Sequence, residues 1–218
     1  MTRLLIVSDI HGSISRVKRL EAIRRDVTVV AGDLARCGSL QEALEILETL
    51  EAQGAPVVWV PGNCDAPETA SLQKAVNIHA THRVVKGLVF AGVGGSLYTP
   101  FNTPFEYGEE ELARLLEKAL SGIPHMPLVL VVHTPPYGSG LDRVSSGDYV
   151  GSRVVVETIR RHRPVLVATG HIHEAWGIAC VEGSPVVNPG PLSEGRYAVA
   201  DIDALGDHVV VRVRTLKQ

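Results

Sequence analysis

The chain reads as an α/β protein, and three observations carry that reading. Short apolar runs alternate with amphipathic helical stretches through residues 4–60, and the chain from residue 176 onward is dense in short strands separated by glycine and proline turns. The third observation is positional. Apolar runs end, one after another, on side chains able to bind a metal: Asp9, Asp33, Asn63, His133 and His171.

Residues 4–12, LLIVSDIHG, organise the rest. The apolar run stops at a Ser-Asp turn, so Asp9 and His11 stand where the backbone leaves a sheet, the place where open α/β sheets keep their ligands. Residues 14–25 carry Ile14, Val17, Leu20 and Ile23 at three-residue steps, which predicts an amphipathic helix with Ser13 at its N-cap. VTVV, 27–30, is the second strand and runs on to Gly32 and Asp33. In the stretch 39–54, Ser39 and Glu42 form a capping box, apolar residues recur at 40, 43, 44, 47 and 50, and Gly54 ends the helix. Strand 57–60 leads to Asn63 and closes a β-α-β-α-β series, which implies a parallel sheet with right-handed crossovers.

From residue 67 the spacing predicts a short helix to about 75, then two strands in RVVKGLVFAGVGGS hinged at Lys86-Gly87. The stretch 99–108, with Pro100, Pro104 and Gly108, reads as a loop. EEELARLLEKAL, 109–120, is a helix whose leading acids suit the positive end of its macrodipole, and Gly122 and Pro124 stop it. Strand 128–132 runs into His133 and opens a connection rich in Gly, Pro and Ser, which its length marks as a wall of a site. A helix to about 162 and strand 165–168 deliver His171 and His173. WGIACV, PVVN, RYAVADID and HVVVRVR, separated by Gly-Ser, Pro-Gly and Leu-Gly-Asp turns, predict an antiparallel second half.

Length and composition bound the function. Residues 1–218 suit one compact domain. A net charge of -3 gives no bulk attraction to a nucleic-acid polymer, and the basic runs 16–25 and 160–163 read as solvated helix faces. Three scattered cysteines without a C-x-x-C pair point to a reducing compartment with no disulfide framework. No stretch approaches the ~18 apolar residues of a membrane span and no leader is evident, so the expectation is a cytoplasmic protein without membrane contact; homo-oligomerisation is left open.

Asp9, His11, Asp33, Asn63, His133, His171 and His173 are too many ligands for one ion. Two divalent cations sharing Asp33 and a bridging water use them all, acidify that water and offset charge at phosphorus, which makes phosphate-ester hydrolysis the natural chemistry. His79, His82, His125, His162 and His208 read as surface or structural residues. AGVGGSLY, 91–98, lacks the third glycine of a dinucleotide fingerprint, and no P-loop or G-x-S-x-G elbow occurs. Asn188 and Arg196 are candidate neighbours of a bound phosphate.

In order and residue type, Asp9-x-His11, Gly-Asp33, Gly-Asn63, His133 and the GHIH of His171 and His173 resemble the calcineurin-like metallophosphoesterases. The resemblance implies a four-layer α/β/β/α sandwich of two mixed sheets flanked by helices. It assigns Asp9, His11, Asp33 and His173 to one metal and Asp33, Asn63, His133 and His171 to the other, with Mn first among Ni, Co, Fe, Zn and Mg. It also implies a phosphodiesterase acting on a small-molecule or nucleotide-type phosphoester. Most of that family follows GN with a His thought to protonate the leaving group; here the sequence is GNCD, as in the small bacterial and archaeal phosphodiesterases. Asn63, Cys64 and Asp65 are therefore the candidate catalytic residues, although a thiol is a poorer acid than imidazolium near neutrality. The missing His also motivates an alternative, a metal-binding interaction or scaffold module of the same fold with weak or no catalysis. After Gly-Asp33 the chain continues LARCGS rather than the V-D-R-G of the superfamily's protein phosphatases.

Overall fold

Successive residues of β1 (Thr2–Val7) serve two different cores. Leu4 and Ile6 face one apolar layer while Leu5 and Val7 face another, so a strand buried on both sides reads in sequence as an unbroken apolar run. The computed structural model describes residues 1–36, 38–205 and 208–218; Cys37, the Gly-Asp portion of the Leu-Gly-Asp turn and the His208 side chain lie outside the described residues.

After β1 come α1 (Ile14–Arg19), β2 (Val27–Ala31), α2 (Leu40–Glu51) and β3 (Val57–Val60). The three strands pair in parallel, Leu4 opposite Val27 and Val29 opposite Val58. The first helix is shorter than its spacing predicts, giving way to a 3-10 turn over Leu20–Ala22. Arg25 explains the early end, because its guanidinium takes the Leu20 and Ile23 carbonyls at 2.6 and 2.8 Å. Ser13 stands at the N-cap position without a capping side-chain bond. Only half of the Ser39/Glu42 box forms: Ser39 Oγ accepts from the Glu42 N–H at 3.3 Å, but the Glu42 carboxylate turns to the Arg36 N–H, 2.6 Å, and guanidinium, 2.9 Å.

The short helix expected to residue 75 is a 3-10 turn, Pro67–Ser71, ahead of β4 (Val76–Asn77). β5 (Thr81–Val85) and β6 (Leu88–Val93) form the expected hairpin; Lys86 and Gly87, φ 50° and 77°, supply the left-handed pair of a two-residue turn. Of two short strands, β7 (Ser96–Leu97) precedes the loop expected over 99–108, and β8 (Glu106–Tyr107) falls inside it, paired parallel to β7. Then follow α3 (Glu109–Leu120), β9 (Leu128–Val132), α4 (Arg153–His162) and β10 (Leu166–Ala168). The chain ends with β11 (Gly177–Val181), β12 (Ser184–Asn188), β13 (Arg196–Leu205) and β14 (His208–Lys217).

Among the described residues two six-stranded sheets stack, ordered β14-β13-β1-β2-β3-β4 and β11-β12-β10-β9-β6-β5. Leu4, Ile6, Val29 and Val58 of the first meet Phe90, Val129, Val131 and Val187 of the second. Outside the first sheet, Val17 of α1 and Ala43, Leu47 and Leu50 of α2 cover Leu5, Val30 and Trp59. Outside the second, Leu112 and Leu116 of α3 and Val155 and Ile159 of α4 cover Leu130, Val132 and Val167. The result is the α/β/β/α sandwich. Burying each such Leu or Ile contributes about 1.5–3 kcal/mol.

The second half is mixed rather than antiparallel. β11 and β12 form an antiparallel hairpin, yet β12 lies parallel to β10, Val167 opposite Val186. β13 leaves that sheet altogether to run antiparallel to β1, with β14 folded back beside it. Apolar alternation marks a segment as strand; it does not say which neighbour the strand will find. The parallel sets β1-β2-β3 and β6-β9-β10 bring their carboxyl ends to the same place, where the candidate ligands gather.

Candidate metal centre

The backbone turns sharply as it leaves β1, β2 and β10, three of the strands that lead to candidate ligands. Asp9, His11, Asp33 and His171 have φ of 53°, 44°, 54° and 73°, a left-handed region that non-glycine residues seldom enter and that costs of order 1–3 kcal/mol each. Cross-links between strand tips hold them there: Asp9 N–H donates to Gly32 O at 3.1 Å, and the N–H groups of Ile10 and His11 both donate to Asp33 O, at 2.8 and 3.1 Å. The glycines before Asn63 and Asp33 have a steric reason. A Cβ on Gly62 would land on the Asp33 carboxylate, and one on Gly32, φ 96°, would enter the His133 ring.

Asp33 stands between two groups of donors. Its Oδ2 lies 3.7 Å from His11 Nε2, and its Oδ1 lies 3.5 Å from His133 Nε2. On the His11 side, His173 Nε2 is 3.2 Å from His11 Nε2 and 3.4 Å from Asp9 Oδ1. On the His133 side, Asn63 Oδ1 is 2.9 Å from His133 Nε2, and the His171 ring lies 5.2 Å from the His133 ring, centre to centre. The structure thus brings all seven sequence-predicted ligands to one place. Asp9, His11 and His173 can offer ligand atoms within 4.8 Å of one another; so can Asp9, Asp33 and His133, and so can His11, Asp33 and Cys64.

Several features fit these residues to divalent cations. Asp9 is fully buried, and its Oδ2 has no hydrogen-bond partner among the described residues. Two imidazole nitrogens 3.2 Å apart, beside carboxylates, make the donor set of a hard-to-borderline ion. The supporting bonds orient the ligands. His133 Nδ1 lies 2.6 Å from Ala31 O; with the proton assigned there, Nε2 faces the centre. Asn63 Nδ2 donates to Thr103 Oγ1 at 2.9 Å, which turns Oδ1 inward.

The charges show how strongly the groups interact. Burial opposes ionisation of Asp33, yet His133, His11 and the Cys64 N–H hold it well below the usual carboxylate range. Burial likewise opposes the charge on Asp9, which its bond to His173 and the nearby His133 nevertheless keep low. For His133, burial is outweighed by Asp33 and Asp9, which carry it up to about 9. Burial and the His133 charge press His171 down to about 4, while the bond to Asp9 raises His173.

Asp65 and Cys64 sit just behind this cluster. Asp65 is fully buried, with Oδ1 accepting from Ala35 N–H at 2.8 Å and Oδ2 from Gly62 N–H at 2.7 Å and Leu34 N–H at 3.1 Å. Burial and Asp33 push it up to about 7 against those three donors. The bonds tie the loop after β2 to the loop after β3 and engage both carboxylate oxygens. Cys64 is half-buried; its N–H donates to Asp33 Oδ1 at 2.8 Å. Burial and the Asp33, Asp65 and Asp9 carboxylates drive its thiol far above the ordinary range.

Asn188, a candidate phosphate neighbour in sequence, is buried and donates from Nδ2 to Ile172 O, 2.9 Å, and Ala175 O, 3.3 Å, bracing the His171–His173 turn. Arg196 lies with its guanidinium over the Trp176 ring at 3.9 Å. Of the remaining histidines, His79 accepts from Gly94 N–H at 3.1 Å and His82 Nδ1 lies 3.0 Å from Ala119 O; both are structural. Sequence reasoning missed Thr103 and Asp142. Asp142 is fully buried and takes the N–H groups of Gly138, Gly140 and Gly151, at 2.8, 3.2 and 3.1 Å, knitting the loop that follows His133. The run GSGLD carried a signal for it, since Asp characteristically closes glycine-rich turns; nothing near Thr103 marked its distant partner.

The chain belongs to the metallophosphoesterases of the calcineurin superfamily, whose family model matches residues 39–208. Asp9, His11 and Asp33 precede that span. This fold binds divalent metals, and the clusters above are its candidate ligands here. The uncharacterized protein MJ1162 of Methanocaldococcus jannaschii is 34% identical over 201 residues, 89% of this chain and 91% of its own. The protein TT1561 of Thermus thermophilus superposes with a TM-score of 0.77 at 24% identity, covering 99% of this chain and 98% of that one. The phosphopantetheinyl hydrolase PptH of Mycobacterium tuberculosis gives 0.63 at 19% identity over 87% and 89%. At those identities the two structures establish a shared fold. Cys64 and Cys180 are free thiols, and among the described residues no helix is long and apolar enough to cross a membrane.

Proposed function

We propose that this protein hydrolyses small phosphodiesters with two divalent cations, one held by Asp9, His11, Asp33 and His173 and the other by Asp33, Asn63, His133 and His171. The observation that carries the reading is the division of Asp33, one oxygen toward His11 and the other toward His133. When bound, such a pair supplies an acidified water as nucleophile and offsets the charge that develops on phosphorus. The protein's part is to hold the ligands in register. Ala31 O fixes the His133 ring, Thr103 fixes the Asn63 amide, and the Cys64 N–H steadies Asp33.

Leaving-group protonation decides between esters. The thiol of Cys64 stays protonated at neutrality and, with its pKa driven so high, releases that proton poorly; Asp65 is engaged by three backbone N–H groups. Protonation then falls to solvent, which favours diesters whose leaving alcohol is itself acidic. Mn is the first candidate metal, with Ni, Co, Fe, Zn and Mg behind it. In this reading the 218 residues act as one domain in the cytoplasm on a small phosphoester rather than a nucleic-acid polymer.

The test is to strip the protein with chelator, resupply each metal and assay an aryl phosphodiester beside the matching monoester. Metal-dependent turnover that favours the diester and is abolished by Asp33→Asn supports the proposal; activity indifferent to Asp33→Asn refutes it. The second reading, a metal-binding interaction module, is favoured by Cys64 at the family's His position. It prevails if Cys64→His creates turnover where the natural chain has none.

A further inference from the structure

We propose that Arg196 and Trp176 form a subsite for a second phosphate group on the substrate, an inference that rests on the phosphoesterase reading of the adjacent centre. Arg196 opens β13 beside the tip of β1, and its N–H donates to Pro191 O at 3.2 Å. The turn between them leans on the ligand-bearing strand: Leu192 N–H donates to Ser8 O at 2.9 Å and Ser193 N–H to Asp9 O at 3.3 Å. Trp176 reaches the same spot from the other side. It follows His173 by three residues across a turn closed by Ala175 N–H to Ile172 O, 3.1 Å, and braced by Asn188. His173 is the open edge of the candidate metal centre, its side chain 42% exposed, and Trp176, also exposed, follows it by three residues.

The stack is built into the fold. A Cβ on Gly190 would lie 2.6 Å from Arg196 Cδ and 2.9 Å from Trp176 Cβ, so the glycine gives both side chains their room. The guanidinium carbon lies 3.9 Å from the centre of the indole, and among the described residues the side chain makes no hydrogen bond. Its Nε is buried without a partner among the described residues, and the nearest carboxylate oxygen, Glu194 Oε2, is 3.6 Å away, beyond hydrogen-bond reach. The contrast with Arg25 is direct: that guanidinium donates to Leu20 O, Ile23 O, Thr28 Oγ1 and Gln53 Oε1. A part-buried guanidinium with five donors, stacked over an aromatic ring and facing a single exposed carboxylate beyond hydrogen-bond distance, is prepared for a phosphate. The substrate class is then a phosphoester with another phosphate a short distance from the scissile one.

The experiment is calorimetry on the metal-loaded protein with inorganic phosphate and inorganic pyrophosphate. Arg196→Ala should lower the ratio of pyrophosphate to phosphate affinity about 10- to 100-fold, the worth of a charge-assisted bond pair, with Arg196→Lys between it and the parent. Glu194→Gln, at an exposed position, should move the ratio the other way by about twofold, because it removes the only carboxylate facing the guanidinium among the described residues. A ratio unchanged in Arg196→Ala, or one that falls in Glu194→Gln, overturns the subsite. Calorimetry needs no turnover, so absence of diesterase activity would sink the functional reading while leaving this measurement decisive.

Discussion

His133 and Ala31 join the two sheets at the heart of the centre: the imidazole Nδ1 at the tip of β9 lies 2.6 Å from the carbonyl at the end of β2. The same carbonyl accepts from Ser8 Oγ at 3.0 Å, so three strand tips share one oxygen. Asp33, two residues past Ala31, is placed by this junction between its two donor groups. Replacing Asp33 should therefore harm both metal positions, whereas replacing a ligand assigned to one position should harm that one first. We expect Asp33→Asn to weaken binding of both equivalents of Mn by at least about tenfold, and His173→Ala to weaken one equivalent. Calorimetric titration of the chelator-stripped protein reads the difference directly. Equal losses in the two variants would contradict the shared position of Asp33.

Asp65 yields a prediction that separates holding from proton transfer. Asp65→Asn keeps the shape but puts an amide against three backbone donors, one of which must then face an N–H group. The expected loss is about 2–4 kcal/mol of stability, read by chemical denaturation. If Asp65 only ties the two loops, the pH profile of kcat in the surviving protein keeps its shape; loss of one limb would make it a proton donor after all.

The gathering of the candidate ligands was legible because each lies within a few residues of the end of an apolar run. The apolar run marks where the strand ends, and Asp9, Asp33, Asn63, His133 and His171 all come within a few residues of that point. What escaped depends on meetings between distant segments. Glu42 had the spacing of a capping box but found Arg36, which the loop after β2 brings within 2.6 Å. β12 had the alternation of an antiparallel strand, and its hairpin with β11 turned it parallel to β10. Thr103 looked like any residue of a proline-rich loop, yet it orients Asn63 from 40 positions away.

His79 sets a pH dependence of folding. Burial, helped by Lys118, presses its pKa down to about 4 from an ordinary 6.5, and its Nδ1 accepts the Gly94 N–H only while unprotonated. The unfolded chain therefore takes up this proton first as pH falls. The stabilisation is complete above pH 6.5, declines between 6.5 and about 4, and is constant below that, amounting to at most about 3 kcal/mol. Denaturant titrations of the natural chain and His79→Gln at pH 7 and pH 5 should show the natural chain losing more on acidification. Parallel losses would mean that His79 titrates normally in the folded state.

Gly62→Ala tests the steric reason for the Gly-Asn63 pair. The conformation at Gly62 is not left-handed, so alanine meets no backbone penalty there, but its Cβ would coincide with the Asp33 carboxylate and crowd the Asp33 backbone nitrogen. Either Asp33 or the loop after β3 must move, and both carry ligands. Gly183→Ala is the contrasting case: φ is 85°, which strains alanine, but nothing lies within 4 Å of its Cβ. We expect Gly183→Ala to cost about 1 kcal/mol with metal binding intact. Gly62→Ala should lose at least about tenfold in Mn affinity whatever its melting temperature, since the displaced atoms belong to the proposed ligands. Retention of both equivalents of Mn by Gly62→Ala at the natural affinity would show that the strand tips have more room than their packing indicates.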